Sequence, residues 1–146
     1  MAKIIEDGYL ILTDGTNILE LGCETIEANL ITKSIFKPYD GQVNLGYHLG
    51  KEWLEWVATG IWFDSHAKWA NCTKYLKDWR NAGTFTLKVE RDTTPNYVKW
   101  DGDYNTFTVL LKTGQKGMTP KSITQFEDVW YIDRLDFREA GVRSTT

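Results

Sequence analysis

The sequence has few of the residues that build metal and cofactor sites. It contains two cysteines, Cys23 and Cys72, and two histidines, His48 and His66. No cysteine pair has the spacing of a zinc site. Neither a G-x-G-x-x-G run nor a Walker-type run is present, so nucleotide binding has no motif support. Cys72 and His66 do not have the i, i+4 spacing that would pair them on one helical face. We therefore expect no metal, no cofactor and no nucleophilic catalysis.

Long apolar runs are also missing. The first residues contain no apolar stretch of signal-peptide length, and nothing approaches the roughly 18 continuous apolar residues of a membrane span. The chain has 17 basic and 20 acidic residues, which argues against a surface dominated by phosphate contacts. The wide separation of the cysteines favours two free thiols over one disulfide. We expect one domain, residues 1–146, without a membrane partner.

Aromatic residues are abundant, with 7 Trp, 7 Tyr and 6 Phe, and some of them mark a helix. The helical spacing of the apolar residues predicts an amphipathic α-helix over about residues 64–82. Asp64 or Ser65 can cap its first turn, and Gly83 is suited to end it. The apolar stripe, which we expect to be buried against a sheet, consists of Trp69, Cys72, Leu76 and Trp79.

In the rest of the chain, apolar and polar residues alternate as they do in strands. Asp-Gly pairs that begin at Asp7, Asp14, Asp40 and Asp101 indicate turns between them. The predicted strands cover residues 9–13, 17–21, 25–36, 52–63, 84–90, 97–100, 106–112 and 129–138. The last strand shifts phase between Trp130/Ile132 and Leu135/Phe137, which indicates a bulge, and residues 141–146 are expected to be a frayed tail. The pattern predicts a mainly β fold: an antiparallel β-sandwich or barrel-like sheet with one flanking helix.

The strand at residues 52–63 carries three tryptophans, and three carboxylates that could act on a sugar lie near them: Glu52, Glu55 and Asp64. Alternation places Trp53 on one face and Trp56 and Trp62 on the other. Glu52 and Glu55 differ by three positions, so they point to opposite faces and do not form the carboxylate pair of a glycosidase. We expect solvated carboxylates here. A carbohydrate-binding β-sandwich that uses tryptophan platforms is an alternative function.

Two connections, residues 37–51 and 112–128, are too long for simple turns. The first is either a long loop or an irregular hairpin arm. Both contain apolar residues without a place in the strand pattern: Tyr39, Val43, Leu45, Tyr47 and Leu49, then Met118, Ile123 and Phe126. Exposed apolar clusters commonly mark protein contacts. We expect these residues to dock on neighbouring subunits, with Tyr47 as an aromatic anchor; the alternative is that each connection folds back on its own domain.

Four segments carry a family resemblance: residues 64–69 (DSHAKW), 79–89 (WRNAGTFTLKV), 99–112 (KWDGDYNTFTVLLK) and 129–141 (VWYIDRLDFREAG). Their order resembles that of the tail-tube and distal-tail ring proteins of long-tailed bacteriophages. In that family a β-sandwich carries one helix on its flank, and a long loop or hairpin arm reaches the next subunit. The resemblance covers the C-terminal half best and the first hairpins loosely.

The resemblance implies a virion structural protein, made in the host cytoplasm, with no catalysis. It implies that the protein assembles with itself into a ring, hexameric in the family, and contacts other tail proteins. DNA would be only a passing cargo.

Overall fold

The structure, a computed structural model, describes residues 2–37, 45–91, 96–112 and 130–145, with backbone alone for 33–37 and 45–51. In this part of the chain one helix accompanies eight strands. In chain order the elements are β1 (Ala2–Glu6), β2 (Leu10–Thr13), β3 (Asn17–Leu21), β4 (Thr25–Lys37), β5 (Leu45–Phe63), α1 (His66–Ala82), β6 (Phe85–Val89), β7 (Thr106–Leu111) and β8 (Trp130–Ser144). The prediction of a mainly β fold with one flanking helix is confirmed.

The strands form a single sheet with the order β1-β3-β2-β6-β7-β8-β5-β4. Every neighbouring pair is antiparallel except β1 and β3, which run parallel. The chain reverses after β1 and again after β2, so β3 returns in the direction of β1. The antiparallel pairing of the other strands agrees with the prediction, whereas the parallel β1–β3 pair was not predicted, because the sequence pattern missed β1.

The sheet curls so that its first strands approach β5. The Trp62 N–H donates to the carbonyl of Gly22, directly after β3, at 3.2 Å, and only residues 22–24 separate β3 from β4, which lies at the other end of the strand order. A Cβ atom at Gly22 would lie 2.5 Å from the Trp62 ring, so this approach requires glycine. The arrangement is closer to the barrel-like alternative than to two stacked sheets.

The helix covers the apolar core with the predicted stripe. Cys72, Leu76 and Trp79 are buried, and Trp69 is half-buried against the same cluster. The Ser65 hydroxyl accepts the Lys68 N–H at 3.3 Å as the N-cap, so the helix begins at His66 rather than at residue 64.

Gly83 ends the helix as expected, with a φ of +127° and its N–H donating to the Trp79 carbonyl.

Both cysteines are free thiols. Complete burial raises the pKa of Cys72, which keeps this thiol protonated.

A glycine in β5 changes which residues face the core. Gly60 has a φ of +65°, and the buried positions of β5 shift across it, from Leu54, Trp56 and Ala58 to Ile61 and Phe63. Trp56 is therefore buried while Trp62 is 40% exposed. The prediction that these two tryptophans share a face was wrong, because Gly60 interrupts the alternation.

Strand β8 shifts phase at the matching place. Ile132 and Leu135 are both buried, so the predicted phase shift between them is confirmed. The pairs on either side, Thr59 with Arg134 and Ile61 with Ile132, keep one register. Both strands thus change phase together at Gly60, without the register shift that a bulge in β8 alone would produce.

Two further predictions were wrong, one near the end of the chain and one before β7. Residues 141–144 are not frayed but belong to β8, where Ser144 pairs with Thr106 and Arg143 with Phe107. Residues 97–100 make no strand: Tyr97 forms an isolated bridge with Glu90, and the Val98 N–H donates to the Val89 carbonyl at 2.8 Å. Both errors have the same cause: pairing with distant strands, rather than local alternation, decides these segments.

Candidate interaction site: the arm and the groove at its base

Strands β4 and β5 extend beyond the rest of the sheet. They pair with each other from Thr25–Thr59 to Lys37–Leu45, with a register shift between Thr32 and Ser34. Strand β8 pairs with β5 only from Phe63 back to Glu55. In the described parts of the chain, β4 is therefore the only strand beside the first half of β5. We call residues 33–37 together with 45–51 the arm.

The arm is a long ribbon of two strands. At about 3.3 Å per residue it extends roughly 20 Å. A ribbon of two strands is marginally stable in water, and three strands or packing against another element are needed for independent stability. Among the described residues, the arm lacks the third strand that would stabilise it.

The structure decides between the two interpretations of residues 37–51, a long loop and a hairpin arm. Leu45, Tyr47 and Leu49 lie in β5, at alternate strand positions, so the hairpin-arm alternative is the right one. The glycines and histidine between them hid this alternation in the sequence. The remaining predicted interface residues lie outside the described residues: Tyr39, Val43, Met118, Ile123 and Phe126.

A groove opens at the base of the arm because β8 turns away from β5 there. The β7–β8 register shifts between Phe107–Arg143 and Val109–Glu139, which leaves extra residues in β8. Such an insertion bends a strand, and Val142 within it is 82% exposed. The groove has a volume of about 690 Å³. Its lining residues are Glu52, Trp53, Tyr104, Arg138, Glu139, Ala140, Gly141, Val142 and Arg143.

Glu139 closes the point where the two strands separate. Its carboxylate accepts the Leu54 N–H at 3.0 Å, in place of a strand carbonyl. It also accepts hydrogen bonds from Arg143, whose guanidinium donates in addition to Asp101. The hydrogen bond to Glu139, followed by that to Asp101, raises the pKa of Arg143 despite the opposing effect of burial. This network fixes the strand end from which the arm leaves.

The wall of the groove combines aromatic rings with exposed charges. The Arg138 guanidinium lies 4.7 Å from the centre of the Trp53 ring, and the Arg143 guanidinium lies 5.6 Å from that of Tyr104. Tyr104 is 41% exposed. Glu52 is also exposed at the groove. The arrangement is able to bind apolar and aromatic side chains together with a cation.

The carboxylates considered for sugar chemistry do not converge. Glu55 forms an ion pair with Lys112 at 2.8 Å, whereas Glu52 lines the groove on the opposite strand face. Asp64 contacts Lys68 at 3.2 Å near the helix start. In the residues that the structure describes, no group of three or more His, Cys, Asp or Glu side chains could hold a metal ion.

The described chain contains no helix that is both long and apolar enough to cross a membrane. Comparisons with family models, with curated proteins and with solved structures found no match to this chain.

Sequence reasoning missed the groove entirely. Glu139 acts on Leu54, 85 positions away in the chain, and Arg143 lies in the segment expected to fray. No local pattern marks either residue. The one available signal was the alternation of residues 45–49, which extends β5 and implies an uncovered arm.

Proposed function

We propose that this protein is a bacteriophage virion structural protein of the tail-tube or distal-tail type. It assembles with copies of itself into rings and catalyses no reaction. The observation that carries the proposal is the arm, a pair of strands that leaves the sheet with no third strand beside it among the described residues. The family resemblance of the sequence adds the place in the virion.

The arm suits head-to-tail assembly. An arm that docks on the next copy makes a heterologous contact, because the donating and receiving surfaces differ. Such a contact closes into a ring when the rotation that it imposes between copies completes a full turn in a whole number of steps. Covering the ribbon also removes an open strand edge, which otherwise invites unspecific pairing.

The experiment is to remove the arm and measure the mass in solution. Thr32 pairs with Glu52, so an Asn-Gly turn in place of residues 33–51 joins two facing positions. The variant keeps the β4–β5 pairs from Thr25–Thr59 to Thr32–Glu52, and we expect it to fold. Light scattering should give a multiple of the chain mass for the wild type and one chain mass for the variant.

A control variant keeps both arm strands and carries an equal number of glycine and serine residues in place of 38–44. It should assemble like the wild type. A wild-type protein that remains a single chain at every concentration would contradict the proposal.

Carbohydrate binding is the alternative function, and it now depends on Trp62. This side chain is 40% exposed, whereas Trp56 is buried and Arg138 lies close to the ring of Trp53. Glycan binding by a single-chain protein, lost in Trp62→Ala, would favour the alternative.

A further inference from the structure

We propose that the groove at the base of the arm is the receptor for the arm of a second copy. This inference rests on the proposed function and adds the receiving surface. The occupant must come from another molecule, because each arm leads away from the groove at its own base. An arm seated in the next groove brings each copy against the base of its neighbour's arm, and the contact repeats head to tail.

The chemistry of the arm strands suits the groove. Residues 33–37 and 45–51 contain three lysines, Lys33, Lys37 and Lys51, and no acidic residue. The groove offers the exposed carboxylate of Glu52 and the 41%-exposed ring of Tyr104. A lysine ammonium is attracted by both groups, since an aromatic face carries negative potential.

The apolar residues of the arm also find a matching surface. Leu45 and Tyr47 occupy alternate paired positions of β5, and Leu49 follows them at the register shift. Val142, 82% exposed, and Trp53 line the groove. Aromatic and aliphatic side chains inserted into a groove of this kind are the usual anchors of protein contacts.

The groove contains two cations, and Arg143 repels a basic arm less than Arg138 does. Glu139 and Asp101 hold the Arg143 guanidinium and neutralise it. Arg138 stays as the exposed cation, placed over the Trp53 ring. Glu52 is therefore the residue that selects a basic arm, and reversing its charge should have the largest effect.

The test combines two defective variants that complement each other. The first is the variant in which an Asn-Gly turn replaces residues 33–51; we call it the arm-shortened variant. It lacks the arm and keeps its groove. The second, Glu52→Lys/Val142→Arg, keeps its arm but adds positive charge at two exposed positions of the groove. Each alone should be a single chain at concentrations where the wild type assembles. Mixed, they should form a heterodimer of one copy each that cannot grow, since one partner lacks an arm and the other lacks a groove.

A matched control changes the net charge equally on the helix. Asp78→Lys/Ala82→Arg alters two exposed positions far from the groove in the chain, and this variant should assemble like the wild type. Circular dichroism establishes that all variants are folded.

The outcomes separate the two proposals. If Glu52→Lys/Val142→Arg assembles like the wild type, the groove is not the receptor. The same conclusion follows if the mixture of the two variants stays monomeric. If the arm-shortened variant is still a single chain in that case, the proposed function stands and the arm docks elsewhere. A monomeric wild type would overturn both.

Discussion

The indole N–H of Trp79 donates to the Asp14 carboxylate at 3.0 Å, and this bond ties the last turn of the helix to the first hairpin. The other oxygen of Asp14 accepts the N–H groups of Thr16 and Asn17 at 2.8 and 2.7 Å. One carboxylate therefore both forms the Asp-Gly turn and anchors the helix. Two features that are separate in the sequence become a single structural unit.

Removing the Trp79 side chain should cost much of the stability of the domain. Trp79 is buried and packs 5.4 Å from the Phe85 ring. We expect Trp79→Ala to lower the free energy of unfolding by about 3–5 kcal/mol, and Trp79→Phe, which loses chiefly the hydrogen bond, by less. Urea titration measures both. Lys74→Ala, at an exposed position of the helix, is the control, and an equal effect there would show that the stripe is not core.

The stability that Asp14 provides should depend on pH. Burial raises the pKa of Asp14, but the hydrogen bonds from Asn17, Thr16 and Trp79 together outweigh it and lower this pKa. A depressed pKa in the folded state stabilises the protein above the unfolded pKa of about 3.9, and this contribution disappears as the pH falls through the folded pKa.

Unfolding curves of the wild type and Asp14→Asn should therefore differ by a constant amount above about pH 5 and converge below about pH 4. A difference that stays constant down to about pH 2 would show that the carboxylate does not act through its charge.

Gly60 should be intolerant of a side chain. Its φ of +65° is strained for other residues, and an added Cβ would lie 2.7 Å from the Glu24 side chain. We expect Gly60→Ala to destabilise by about 1–2 kcal/mol from the backbone alone, plus the cost of the contact. Gly15→Ala is the control, because Gly15 also has a positive φ but no atom within 4 Å of the added Cβ. Combining Gly60→Ala with Glu24→Ala should recover only the part of the lost stability that the contact with the Glu24 side chain causes. Equal losses at both glycines would contradict this account.

Glu139 should hold the base of the arm. Its side chain is 7% exposed, and Glu139→Ala leaves the Leu54 N–H without its acceptor and Arg143 without its main partner. Such a loss costs about 1–3 kcal/mol per buried group, and Glu139→Gln, which retains an acceptor, should cost less. Hydrogen exchange at the Leu54 amide should accelerate in Glu139→Ala. Asp103→Ala, which removes an exposed ion pair with Lys99, should change neither quantity.

The helix and most strands could be predicted because their signals are local. The spacing of Trp69, Cys72, Leu76 and Trp79 fixes one apolar stripe, and Ser65 and Gly83 are caps within one turn of its ends. Alternation likewise identifies β6 and β7 without reference to any partner.

The errors arose where distant pairing decides the structure. Residues 141–144 look like a polar tail until β7 pairs with them. A single glycine, Gly60, reverses the face on which Trp62 lies. The groove brings together Glu52, Tyr104 and Val142 from separate elements, so no sequence window contains it. The sequence predicted the arm only as one of two alternatives, because apolar residues alternate with glycine and histidine in its second strand.

The most direct test of ring assembly is an electron micrograph of the purified wild-type protein. We expect closed rings of uniform diameter, each built from whole copies of the 16.9 kDa chain. Fields of small single-chain particles, without rings at any protein concentration, would contradict it.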